Sequence, residues 1–318
     1  MGSWNLAAIL IAVPISLPIL GLFATILTPN IEVWLHLKST VFTEYLANTF
    51  GLMFLVGLFA TIMGVGAAWI TSTYNFSGRK LLIVGLVLPL ACPAYVAGYV
   101  YAELFDYSGP IFSSLRFALP FVTDWIPPIR SLGGAAVVIS LCLYPYIFLL
   151  ARASFLFQAT RTFEAAKTLG AKPKRIFWHV AIPMARPAIA SGIALVLMET
   201  IADYGVVDHF GVPTLTSGIF RTWYAMGERG AAINLAAWLF SLAVVLVLLE
   251  QFSRRRVHFD PKSGSKDIKL IPVSRIKGWC LLFICGIPAV LGFILPLTYL
   301  LILSSSSTLY GISDKFFQ

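Results

Sequence analysis

The chain has 318 residues, of which 58% are hydrophobic and 12% are charged. Soluble globular proteins carry roughly 25% charged residues, so this composition excludes an ordinary soluble domain and indicates a membrane protein. The net charge of +9 does not indicate a nucleic-acid-binding face, because most basic residues lie in short polar segments between apolar runs. The four cysteines lie in apolar runs and the four histidines are scattered, so we predict neither a disulfide nor a metal site.

Seven apolar runs are long enough to cross a bilayer as helices. We place spans at 6–28, 48–72, 81–101, 132–156, 185–207, 231–251 and 279–303. The first is expected to be a retained span, since no basic residue precedes it and no clear signal-peptide cleavage site follows it. In the second, Ala60, Gly64 and Gly66 permit close helix packing. In the third, Pro89 and Pro93 predict a kink or a broken helix.

The distribution of Lys and Arg predicts the orientation of the spans. Six spans that start inside place the segments 73–80, 151–186 and 251–278 in the cytoplasm, where they collect 17 of the 23 basic residues. The opposite orientation would place only the remaining basic residues there, so the positive-inside rule favours a cytoplasmic N-terminus. The segments 104–130 and 208–230 are then external loops.

A charged island, 162–183, lies between the fourth and fifth spans, and its first part predicts a short helix. Thr162 can cap this helix, and Glu164 suits its first turn, where the helix dipole favours an acid. The methyl side chains of Ala165 and Ala166 allow a partner to approach closely. Gly170 can end the helix in the left-handed conformation.

The second part of the island predicts another short helix at an angle to the first. Pro173 suits its first turn, and we expect Pro183 to end it. The basic side chains of Lys172, Lys174 and Arg175 lie on its outside. Two short basic helices between membrane spans are typical of a docking surface.

The spacing of this island resembles the EAA loop of binding-protein-dependent ABC importer permeases, with Val180 in one of its two aliphatic positions. The resemblance implies an all-α polytopic membrane protein with a MetI-like helical bundle, about six spans plus a seventh, whose coupling loop at 160–185 docks on a cytoplasmic ABC ATPase dimer. The residues expected to couple the two subunits are Glu164, Ala165, Ala166, Gly170, Ile182 and Pro183. The alternative is an ordinary basic loop that merely connects two helices.

The chain contains no GxxxxGK[ST] motif, the loop that holds ATP phosphates in P-loop proteins. We therefore expect no enzyme activity and no cofactor in this chain. If transport uses ATP and Mg, they belong to the partner ATPase.

The segment 257–278 is polar and basic and contains Pro, Gly and Ser, which predicts a cytoplasmic linker. The apolar run after it contains Leu295-Pro296, which repeats the Leu-Pro pair at Leu17-Pro18 in the first span. We interpret 1–256 as a first permease domain and 279–318 as the start of a second, truncated one, because the iron-type permeases that the chain resembles commonly fuse two such domains. The alternative is a seven-span protein whose last helix is an accessory.

Acidic residues mark the fifth span. A carboxylate near the bilayer centre costs roughly 2.5–3.5 kcal/mol on insertion scales and is usually functional or paired. Glu199 and Asp203 are four residues apart and would share one helix face, with Tyr204 and Asp208 following towards the external end. We predict that these four residues line a translocation path suited to a cation. The alternative is that Glu199 pairs with a basic group or a helix end, and that Asp203 is solvated at the outer interface.

The stretches 88–110 and 194–224 resemble ferric-iron ABC importer permeases in particular, and the likeness covers most of 50–256. It implies that a periplasmic solute-binding protein delivers iron to the outer face of a permease in the bacterial inner membrane. The arginines of the external loops are candidate partners for its carboxylates, or are simply solvated; they are Arg116, Arg130, Arg221 and Arg229.

Other solutes and other classes of protein stay open. Permeases for thiamine, sulfate, molybdate or polyamines share the same loop. An ion-coupled secondary transporter or channel would use Glu199 and Asp203 without an ATPase, and a membrane scaffold would transport nothing.

Overall fold

The computed structural model describes residues 3–26, 31–118, 127–158, 170–254 and 270–309. Five helices in these ranges are long and apolar enough to cross a membrane, and the number rises to six if a bent pair of helices is counted as one span. The prediction of an all-α polytopic bundle is therefore confirmed. The helices are α1 Ser3–Ile26, α2 Ile31–Thr40, α3 Phe42–Thr73, α4 Arg79–Gly85, α5 Ala94–Phe105, α6 Pro110–Ala118, α7 Leu132–Gln158, α8 Pro173–Ala202, α9 Gly205–His209, α10 Leu215–Phe220, α11 Arg229–Arg254, α12 Arg275–Ala289 and α13 Leu295–Leu309.

The third span is broken where its prolines predict. It consists of two parts, Arg79–Ala91 and Ala94–Ala118, which meet at an angle of 92°. A short 3₁₀ turn containing Pro89 ends the first part, and Pro93 precedes the first residue of the second. Because proline lacks a backbone N–H, an unbroken helix through both positions would lose hydrogen bonds inside the membrane.

The fifth span differs from its prediction at both ends, since α8 covers Pro173–Ala202 instead of 185–207. Pro183 was expected to end a short helix, and this expectation is wrong. A π turn, Phe177–Ala181, precedes it, and the N–H of Ile182 donates to the carbonyl oxygen of Phe177, five residues back. The wider turn accommodates the proline ring, so the helix continues through Pro183 into the membrane.

Close contacts between α3, α7 and α8 form the centre of the bundle. A Cβ atom on Gly64 of α3 would lie 2.9 Å from Cβ of Ile147, and one on Gly192 of α8 would lie 2.9 Å from Cα of the same residue. Ala60 is fully buried, as predicted, whereas a Cβ on Gly66 would meet nothing within 4 Å. Small residues thus allow two helix backbones to press against the same turn of α7.

The seventh span, α12 and α13 joined by the π turn Val290–Ile294, packs against the third and fourth spans. A Cβ on Gly292 would lie 2.5 Å from the carbonyl oxygen of Leu141. Before this span, β2 (Ile271–Pro272) pairs in parallel with β1 (Tyr74–Asn75), which follows the second span. The chain after 269 is therefore held against the bundle at the strand pair and along the span.

The contacts between loops divide the bundle into two ends. The strand pair lies at the end that the Lys and Arg count places in the cytoplasm, which we call the inner end. At the opposite, outer end, Asn48 Nδ2 donates to the carbonyl oxygen of Pro213 at 2.9 Å, and Arg130 donates to the carbonyl oxygen of His209 at 2.7 Å. The loops thus group as the predicted alternation of spans requires, and the orientation itself stays a prediction.

Candidate translocation pocket and coupling loop

A cavity of about 210 Å³ lies at the bend of the third span. It is bounded by this bend, by α7 and by the outer end of α8. Its lining residues are Leu90, Cys92, Pro93, Ala94, Cys142, Leu143, Tyr146, Glu199 and Asp203. Among the described residues, the wall of this cavity thus contains two carboxylates and no basic side chain.

The two carboxylates have different environments. Asp203 lies just beyond the last residue of α8, and its Oδ1 accepts a hydrogen bond from the N–H of Val206 at 2.8 Å. It therefore stabilises the start of the short helix α9, the role that the sequence allowed for Glu199 instead. Glu199 is exposed on α8, and within the described residues no hydrogen bond or ion pair engages its carboxylate.

Tyr204 and Asp208 lie outside the wall of this cavity. The ring of Tyr204 stacks on Phe220 with centroids 4.0 Å apart. Partial burial, the nearby negative charge of Asp208 and a hydrogen bond to that carboxylate raise the pKa of Tyr204. The structure thus brings together in this cavity two of the four predicted path residues, Glu199 and Asp203.

The arginines of the outer loops fall into two groups. Arg116 lies over the ring of Tyr107, 4.0 Å from its centroid, and donates to the carbonyl oxygen of Tyr107. Arg130 forms an ion pair with Asp106 at 3.4 Å. Both make contacts within the outer end, although Arg130 is exposed, as are Arg221 and Arg229.

The coupling loop is described in its second half. Glu164, Ala165 and Ala166 lie outside the described residues. Gly170 is exposed with φ +79°, the left-handed conformation expected of a residue that follows a helix. Pro173 occupies the first turn of α8, as predicted.

An aromatic contact that the sequence did not reveal joins the helix before this loop to the second half of the loop. The ring of Trp69, on α3, meets Phe155, on α7 before the loop, with centroids 5.6 Å apart. It also meets Phe177, in the π turn within the second half of the loop, at 5.1 Å. A tryptophan near the end of an apolar run is typical of a membrane interface, so the sequence carried no sign of this contact.

The comparisons with known proteins identify the class. Residues 4–259 match the model of a family described as binding-protein-dependent transport system inner membrane component. The chain belongs to this family of ABC importer permeases.

Curated relatives differ in the solute that their names give. The chain is 26% identical over 254 residues to the Fe(3+)-transport system permease protein FbpB 2 of Haemophilus influenzae, a match covering 79% of this chain and 46% of that protein. It is 30% identical over 215 residues to the sulfate transport system permease protein CysT of Escherichia coli, covering 64% of this chain and 75% of that protein. The chain thus spans less than half the length of the iron relative.

A solved structure supports the fold. A chain from a bacterial alginate ABC transporter, in complex with an alginate-bound periplasmic protein, matches with a TM-score of 0.61 and 16% identity. The match covers 80% of this chain and 94% of that chain. At this identity the likeness shows the helical arrangement alone.

Proposed function

We propose that this chain is the permease domain of an ATP-driven importer in the bacterial inner membrane, and that it passes a cation, with ferric iron as the candidate solute. The observation that supports this solute is the cavity at the bend, whose wall, as far as the chain is described, contains Glu199 and Asp203 and no basic side chain. Because like charges repel strongly at low dielectric, this wall favours a cation over an oxyanion such as sulfate. The name of the iron relative agrees with this assignment.

The exposure of Glu199 also supports a second permease domain or copy as a partner. Leu195, Glu199 and Ala202 are exposed on α8 at helical spacing. A carboxylate that faced acyl chains at this depth would be costly. A second domain opposite this face would leave a polar path between the two, with Glu199 in its wall.

The remaining partners follow from the coupling loop. An ATPase dimer that hydrolyses ATP with Mg would dock on the loop at 160–185, and a periplasmic binding protein would deliver the solute at the outer end. Movement of the loop would then alternate access to the path. Family membership favours this importer over an ion-coupled secondary transporter or a scaffold.

The test of the coupling loop is a pull-down from the native host with mass spectrometry, comparing the wild type with Gly170→Asp. Because Gly170 has φ +79° and is exposed, a side chain there strains the turn by about 1–2 kcal/mol and adds a charge to the docking surface. We expect the wild type to capture a P-loop ATPase and the variant to lose it while still inserting.

Gly211→Asp is the matched control, since Gly211 has φ +68°, is also exposed and lies at the outer end. It should retain the ATPase. Capture of the ATPase by Gly170→Asp at the wild-type level would contradict the docking role of this turn. Absence of any ATPase from the wild type would contradict the importer itself.

The test of the solute is uptake by the reconstituted transporter with iron-loaded binding protein, comparing the wild type with Glu199→Gln. Loss of one charge from the path should lower iron uptake about tenfold, which corresponds to about 1.4 kcal/mol. Glu44→Gln is the control, because Glu44 is exposed in the first turn of α3, away from the cavity. Unchanged iron uptake would contradict the placement of Glu199 in the path. Uptake of sulfate instead of iron would contradict the assignment of a cation as solute.

A further inference from the structure

The second span, α3, contacts the outer end of the fifth span through the outer loop. Asn48 Nδ2 donates to the carbonyl oxygen of Pro213 at 2.9 Å, and the N–H of Leu215 donates to Oγ1 of Thr49 at 3.0 Å. In the same loop, Oγ1 of Thr216 donates to the carbonyl oxygen of Ile201, two residues before Asp203, at 2.5 Å. The outer end of α3 is therefore linked to the wall of the cavity.

At its inner end the same helix contacts the residues before the coupling loop and the second half of the loop itself. Trp69 is only 8% exposed, and its ring meets Phe155, which precedes the loop, and Phe177, which lies in its second half. Asn48 and Trp69 are 21 residues apart, a distance of roughly 32 Å along a helix. One helix thus reaches from the coupling loop to the outer loop across the whole bilayer core.

The helix between these contacts is suited to transmit a displacement. No proline interrupts α3, whereas α7 contains Pro145 and α8 contains Pro187. Gly64 brings α3 into close backbone contact with α7, which prevents bending towards that neighbour.

We propose that Trp69 is a positioning residue for coupling, and that α3 transmits the movement of the coupling loop to the outer loop beside the cavity. This inference rests on the proposed docking of an ATPase on the loop. When the loop moves, the rings of Phe155 and Phe177 move Trp69, and the hydrogen bonds of Asn48 and Thr49 carry the displacement to 213–216. Opening of the cavity to the outside is thereby tied to the state of the ATPase.

The test uses the natural-length transporter purified with its ATPase, and compares wild type, Trp69→Leu and Trp69→Phe. Two quantities are measured: stimulation of ATP hydrolysis by solute-loaded binding protein, and uptake. We expect Trp69→Leu to retain the ATPase and its basal hydrolysis but to lose stimulation and uptake about fivefold or more. Trp69→Phe keeps an aromatic ring between the two phenylalanines and should restore most of both.

Two further variants separate transmission from simple stability. Trp279→Leu is the matched control, because Trp279 is 59% exposed on the seventh span, and it should behave as the wild type. Asn48→Leu removes the outer contact and should give the same loss as Trp69→Leu, without a further loss in the double variant, since both changes interrupt one path.

Each other outcome contradicts the proposal. Full stimulation in Trp69→Leu would show that the ring is not needed for transmission. Loss of the ATPase from Trp69→Leu would show that the ring only stabilises the docking surface. Failure of the wild type to capture any ATPase would instead contradict the proposed function, so the two failures are distinguishable.

Discussion

The first and seventh spans share an apolar composition and a Leu-Pro pair, yet they lie in different environments. Each described side chain of α1 is exposed except that of Ser16, which is half-buried. The seventh span has one buried face of small or compact residues and one exposed face of large aliphatic and aromatic residues. The buried residues are Gly278, Cys285, Pro288, Ala289, Gly292 and Pro296.

This difference shows that hydropathy predicts a membrane helix but not its packing partner. Close packing in a membrane depends on van der Waals contact at small residues, and the seventh span meets the backbone of α7 at Gly292. In the first span, by contrast, a Cβ on Gly21 would meet nothing within 4 Å. The comparison can be tested by adding one methyl group to each span.

The largest effect is expected from Gly292→Ala, compared with Gly21→Ala. A Cβ on Gly292 would lie 2.5 Å from the carbonyl oxygen of Leu141 and 3.1 Å from Cγ of Pro89, whereas one on Gly21 would meet nothing within 4 Å. Gly292→Ala should lower the free energy of unfolding by about 2–3 kcal/mol. Gly21→Ala should be neutral or stabilising by up to about 1 kcal/mol, because alanine favours the helix.

Thermal unfolding of the purified chain in detergent measures both variants. The loss of free energy of unfolding expected for Gly292→Ala should lower the melting temperature by roughly 5 °C. Equal shifts in the two variants would show that the seventh span is no more closely packed than the first.

The sequence predicted the existence and order of the second to seventh spans because apolar length is a strong signal. The first run is a helix, Ser3–Ile26, but within its described residues only the shorter apolar stretch Ala8–Pro18 was found. The sequence also predicted the break at Pro89 and Pro93 and the left-handed turn at Gly170, since proline and glycine impose these geometries directly. It did not predict that a helix continues through Pro183. The π turn before this proline makes room for its ring, and hydropathy does not indicate a π turn.

The candidate site was predictable in part for the same reason. Because a carboxylate in the membrane is costly, the sequence identified Glu199 and Asp203 as candidates, and both line one cavity. The sequence could not assign the capping role to Asp203, because this role depends on where α8 ends. It could not reveal the contacts of Trp69 either, because Trp69, Phe155 and Phe177 lie on three different spans.

The smallest effect is expected from Tyr101→Phe, which tests a single contact of the seventh span. In its π turn, the N–H of Leu295 donates to the carbonyl oxygen of Val290 instead of that of Leu291. The next residue, Pro296, has no N–H to offer. The carbonyl oxygen of Leu291 therefore lacks a partner from its own helix, and the hydroxyl of Tyr101 donates to it at 2.9 Å.

Removing this hydroxyl leaves a carbonyl inside the bundle without a donor, which should cost about 1 kcal/mol. Tyr99→Phe is the control, because Tyr99 lies on the same helix and is 46% exposed, and it should unfold as the wild type does. The melting temperature of Tyr101→Phe should fall by less than half as much as that of Gly292→Ala. An unchanged melting temperature would mean that water or a neighbouring group replaces the hydroxyl, and that the seventh span is held by its small residues alone.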